Sequence, residues 1–96
     1  MPFTDETIQQ VWEKGEVVEN HDPDVKRKDV ATAWIHREEY GNRDSEFAWE
    51  INHIEPDGGD ELSNLQPLQW RNNRALQEGR VGPKVVSERD DNIELD

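Results

Sequence analysis

The run Trp49-Glu50-Ile51-Asn52-His53-Ile54-Glu55-Pro56 sets an imidazole beside a carboxamide, and Gly58-Gly59-Asp60, Asn64-Leu65-Gln66-Pro67-Leu68 and Trp70-Arg71-Asn72-Asn73-Arg74 follow it. An imidazole exchanges a proton near neutral pH. A carboxamide both donates and accepts hydrogen bonds, and its oxygen suits a hard cation. Hydrolysing a phosphodiester needs a base to activate water and a cation to stabilise charge on the phosphorane and the leaving oxygen. These residues are therefore the parts of a one-metal phosphodiester-cutting site. The competing reading makes His53 a packing or surface histidine, Asn64 a turn cap and Asn73 an exposed helix residue. Glu55, Asp57 and Asp60 are either extra ligands or a solvated loop, and the loop is the better assignment. Glu50 shares a strand face with Asn52 and is within reach of the same cation. Alternation puts Asn52 and His53 on opposite faces, so both serve one phosphate only at the strand's end.

The elements that must carry these groups follow from pattern. Phe47, Trp49, Ile51 and His53 alternate with Ala48, Glu50 and Asn52, which predicts a half-buried strand. Pro56 to Asp60 breaks it into a loop, Leu65 to Leu68 is a short return strand at an edge because of Pro67, and Trp70 to Glu78 is a helix stopped by Gly79. Strand, glycine loop, strand and helix make a ββα unit. Upstream, Thr4-Asp5-Glu6 starts an amphipathic helix over about 5–14, with Ile8, Val11 and Trp12 on one face. Residues 30–40 suit either strand or helix. The chain is expected to be one small α+β domain. Residues 1–46 form a supporting part, 47–80 the ββα core, and 81–96 an acidic, flexible tail.

The constellation resembles the HNH endonuclease family, strongly over residues 49–75, and Trp34 to Asn42 resembles the region preceding that core in small bacterial and phage members. The resemblance implies a ββα-metal fold and a metal-dependent DNA endonuclease leaving 5′-phosphate ends. It makes His53 the general base, has Asn64 bridge the loop and hold the histidine, and gives Asn52 and Asn73 to a divalent cation, Mg²⁺ or else Mn²⁺. Arg71, Arg74 and Arg80 would contact substrate phosphate. Two departures stand out. The position of Asn52 is usually Asp, and relatives commonly carry a lysine near Leu76. Gln69 and Asn72 occupy places where zinc-stapled relatives carry cysteine, and with no Cys in the chain no structural zinc is expected.

Composition sets a second hypothesis against the first. The chain has 96 residues with 31% hydrophobic, so the core is small and its four tryptophans are its main bulk, each able to bury roughly 200 Å². The net charge is −12, the reverse of a generic DNA binder. The acid is a face turned from the site, a halophile's surface, a partner-binding surface, or a sign that nucleic acid is not the target. The rival reading is a catalytically weakened HNH-fold module that binds a protein partner or mimics DNA. A subunit relying on a separate DNA-binding domain is compatible with the nuclease reading. No apolar run spans a membrane and the N-terminus does not read as a signal peptide, so a cytoplasmic bacterial, archaeal or phage setting is expected.

Overall fold

Thr4 starts the first helix. Its hydroxyl accepts from the Thr7 amide at 3.1 Å, satisfying one of the free donors at the head of α1 (Asp5–Trp12). Asp5 and Glu6 lie in the first turn, where the helix dipole favours acid. The helix stops at Trp12, two residues short of the expected end, where the Lys14 and Gly15 amides turn to the Val11 and Trp12 carbonyls, three residues back, at 3.0 and 2.9 Å. Arg27 Nη1 donates to the Glu13 and Gly15 oxygens at 3.0 and 3.1 Å. Ile8, Val11 and Trp12 are buried and form the core with Ile35, Trp49 and Leu65, flanked by Phe3, Tyr40 and Ile51. Trp12 and Trp49 meet with ring centroids 5.4 Å apart. Burying each such ring stabilises the fold by about 3 kcal/mol. Trp34 is buried too, whereas Trp70 is half-buried, with the Arg43 and Arg71 guanidinium carbons 5.4 and 4.8 Å from its ring.

The structure, a computed structural model, describes residues 3–96. Among them the elements run α1, β1 (Lys26–Lys28), β2 (Trp34–His36), a 3₁₀ turn (Arg37–Glu39), β3 (Trp49–His53), a second 3₁₀ turn (Leu62–Asn64), β4 (Leu65–Gln69), α2 (Trp70–Gln77), β5 (Val85–Glu88) and β6 (Asp91–Glu94). The strands form three antiparallel pairs, β1–β2, β3–β4 and β5–β6. This is a small α+β domain. No helix among the described residues is long and apolar enough to cross a membrane. The ambiguous stretch 30–40 divides, with Trp34–His36 a strand and Arg37–Glu39 a 3₁₀ turn. In β3–β4, Trp49 faces Gln69, Asn52 faces Gln66 and His53 faces Leu65. The strand predicted from Phe47 starts two residues later, at Trp49. Gly79, at φ +90°, follows the end of α2 in the left-handed conformation that suits glycine.

The C-terminal segment differs from expectation. Residues 85–94 are not a free tail but a hairpin, β5–β6, and two asparagines bind it to the rest. Asn72 Oδ1 accepts from the Lys84 and Val85 amides at 2.9 and 2.8 Å, and its Nδ2 donates to Val85 O and Asp29 Oδ2 at 2.9 and 3.1 Å. Asn92 pairs with the backbone of Trp34 in both directions, at 2.8 and 3.0 Å. Acidic composition conceals such bonds, since an asparagine serving a distant backbone looks in sequence like a solvated one. Asp29 is the hub beneath. Its carboxyl accepts from the Ala31, Ala33 and Gln69 amides and from Asn72. Burial pushes its pKa up, against the pull of those four bonds. Gln69 and Asn72 are thus held by hydrogen bonds to one buried acid.

Candidate functional site

The site grows from the end of β3 and the face of α2 packed on it. Asn52, buried at 6% exposure, turns toward α2 and donates through Nδ2 to Asn73 Oδ1 at 3.0 Å. Asn73 donates in turn to Glu50 Oε1 at 3.0 Å, and Gln66 Nε2 donates to Asn52 Oδ1 at 3.0 Å. Arg43 closes the chain with a two-pronged pair to Glu50, at 2.6 and 2.9 Å. An ionised carboxylate only accepts, so Glu50 fixes the order: Asn73 must offer it Nδ2, which turns the Asn73 oxygen to Asn52 and the Asn52 oxygen to Gln66. The Arg43 guanidinium holds the Glu50 carboxyl below the usual carboxylate range, burial opposing and the Asn73 amide assisting.

His53 leaves the strand in another direction. Its ring lies 6.2 Å from that of Phe3, which flanks the core, and its Nε2 is 2.6 Å from Asp60 Oδ1. With Asp60 ionised, Nε2 is the protonated nitrogen and Nδ1 is the one able to accept a proton. The imidazole is one-third exposed, at 34%. Asn52 and His53 point apart, as strand alternation requires. They meet again at the strand's end, where both line a concavity of about 340 Å³ with Ile54, Leu76 and Gln77.

Asn64 makes no hydrogen bond to His53 among the described residues. Its Oδ1 accepts from the Glu55 amide at 2.8 Å, and its Nδ2 donates to the Glu55 and Gly59 carbonyls at 3.1 and 2.9 Å. It clamps the loop from which Asp60 reaches the imidazole, so its hold on the histidine is indirect. Gly58 serves that clamp by close approach, since a Cβ there would stand 2.6 Å from Asn64 Nδ2.

The three arginines expected at phosphate do not gather at this concavity. Arg71 faces Glu94 at 3.7 Å, Arg74 faces Glu78 at 3.3 Å, and Arg80 donates to the Pro83 and Asp96 carbonyls. Among the described residues Lys14, Arg27 and Lys28 form no ion pair: Lys14 bonds the Leu62 and Leu65 carbonyls, Arg27 bonds backbone oxygens, and Lys28 Nζ lies 4.8 Å from the Trp34 ring centre. Lys14 and Lys28 line a groove of about 410 Å³ that shares Ile54 with the His53 concavity. Gln66 and Arg43 are contributors that sequence reasoning passed over, and the contact of Asp60 with His53 was not foreseen. Asp60 read as a solvated loop acid, and nothing in the spacing of the other two marks their partners.

Among the described residues no three His, Cys, Asp or Glu side chains cluster to hold a metal. The oxygens placed at the site are the carboxamides of Asn52 and Asn73 and the carboxylate of Glu50. No protein-family model, curated protein or solved structure matches the chain.

Proposed function

We propose that the chain is a metal-dependent phosphodiester hydrolase acting on DNA, with β3, its loop, β4 and α2 as an HNH-like ββα-metal core. The observation that carries this reading is the meeting of His53 and Asn52 in one concavity, with Asn73 3.0 Å from Asn52. The donors fit a hard cation. Both amide oxygens accept one hydrogen bond and retain a second lone pair, and Mg²⁺ or Mn²⁺ prefers oxygen and keeps several waters. Asn52 and Asn73 would hold that ion, which supplies charge stabilisation for the phosphorane and the 3′-oxygen.

The chain's own residues supply the rest. His53 takes a proton from the attacking water at Nδ1 while Asp60 holds Nε2 and fixes the ring. Asn64 keeps the loop carrying Asp60 in place. Supercoiled plasmid incubated with Mg²⁺ or Mn²⁺ should be nicked by the wild-type protein and left intact by His53→Ala. Wild type no more active than His53→Ala, across metals and salt, rejects the reading.

A second reading has its own support. Arg71 and Arg74 are paired with acids of the chain, Glu50 is neutralised by Arg43, and the net charge is −12. These facts favour a non-catalytic acidic module of the same fold that binds a protein or mimics DNA. Asn52→Asp separates the two. A gain in nicking of about tenfold or more, the size of a single well-placed ligand charge, shows a working frame short of one carboxylate. No nicking by this variant, together with recovery of a basic partner, favours the module.

A further inference from the structure

Asn52 and Asn73 are neutral, and an all-amide pair holds a divalent cation weakly. The anionic oxygen nearest them in the hydrogen-bonded chain is Glu50, 3.0 Å from Asn73 Nδ2 and already engaged by Arg43. We infer that Glu50 is the charged ligand of this cation site and that Arg43 is a latch withholding it. The inference rests on the hydrolase reading for its purpose, but not for its geometry.

Three features support it. Glu50 faces the carboxamides and not bulk solvent, its side chain being 20% exposed. Arg43 is 52% exposed, so the clasp can open outward without disturbing the core. The departing guanidinium also keeps a resting place, since it already lies 5.4 Å from the Trp70 ring centre. Once Arg43 leaves, a cation can replace it on Glu50. The Asn73 carboxamide then has no carboxylate demanding its Nδ2, and a half-turn of its terminal torsion, matched by half-turns of Asn52 and Gln66 that keep each donor on an acceptor, presents Oδ1 to the same ion. Glu50, Asn73 and water would complete a set of hard oxygen ligands. The carboxylate missing at position 52 is supplied two residues earlier on the same face of β3.

Mn²⁺ binding to the whole protein without DNA tests this, followed by electron paramagnetic resonance of the free ion. Arg43→Ala should bind Mn²⁺ at least about tenfold more tightly than wild type, a factor corresponding to release of one charge-assisted pair. Glu50→Gln should bind about tenfold more weakly than wild type and should erase the gain when combined with Arg43→Ala. The glutamine retains an acceptor for Asn73, and an unchanged near-ultraviolet circular dichroism spectrum shows that the fold persists. Equal affinity of Arg43→Ala and wild type, or a gain that survives Glu50→Gln, overturns the assignment. Metal affinities that follow the expected order without plasmid nicking by any variant reject the hydrolase reading alone. Wild-type nicking that survives Glu50→Gln rejects the Glu50 assignment alone.

Discussion

Asp60 was indistinguishable from its acidic neighbours in sequence, yet it holds the one imidazole of the site at 2.6 Å. Its side chain is largely exposed, so Asp60→Ala should leave thermal stability within about 0.5 kcal/mol of wild type. Nicking should fall on the order of tenfold or more, because the ring loses the partner that fixes its tautomer. A melting curve and a plasmid assay on one preparation check both. His36 gives a different signal. Its ring stacks on Phe47 at 4.0 Å and its buried Nε2 has no hydrogen-bond partner among the described residues. Burial, joined by Lys26, lowers its pKa below the ordinary 6.5, with Glu39 and Glu46 opposing. The unfolded chain therefore binds more protons as pH falls below about 6.5, and the stability from the neutral ring is lost through the folded pKa. His36→Phe keeps an aromatic stack and cannot titrate. Between pH 7 and pH 5 wild type should lose more melting temperature than this variant, and parallel losses would show that His36 is not responsible.

Elements whose signals are local were legible, and those built by distant partners were not. Thr4 with Asp5 and Glu6 marks the start of α1, the alternation at Trp49, Ile51 and His53 marks β3, and Gly79 marks the end of α2. Asn64 was legible as a loop bridge, although its grip is on Glu55 and Gly59 and not on the histidine. The β5–β6 hairpin was not legible, because its attachments are polar and far apart in sequence: Asn72 to Val85, Asn92 to Trp34, Ser87 to Thr32. The same holds for Arg71, which was expected at substrate phosphate and lies opposite Glu94. Asn72→Ala removes four hydrogen bonds, strands the Lys84 and Val85 amides and takes from the Asp29 carboxyl one of its four partners. The expected loss is about 3 kcal/mol in urea denaturation. Amide exchange of residues 85–94 should rise well ahead of that in β3. Uniform exchange across the domain would show that the hairpin is not a separately anchored unit.

The molecule as a whole is acidic, and two of the arginines expected at phosphate, Arg71 and Arg74, already face acids of the chain. Lys14 and Lys28, which form no ion pair among the described residues, line a groove that shares Ile54 with the His53 concavity. If a nucleic-acid strand approaches the site, this is the face with attraction left to offer. Binding of a labelled duplex to His53→Ala at low salt should weaken about threefold or more on Lys28→Ala, with the salt slope reduced by roughly one charge. Arg74→Ala should change it less, since Glu78 already neutralises that guanidinium. The reverse order would place the strand on α2. The central claim is narrower than the route of approach: one divalent ion shared by the Asn52 and Asn73 carboxamides beside the His53 ring. The measurement that reaches it most directly is paramagnetic broadening by trace Mn²⁺ of side-chain resonances in the whole protein, with a short duplex present. Selective loss of the Asn52 and Asn73 carboxamide signals and of the His53 ring protons is expected, reversed by excess Mg²⁺. Broadening confined to the acidic surface, with those three side chains still sharp, would contradict it.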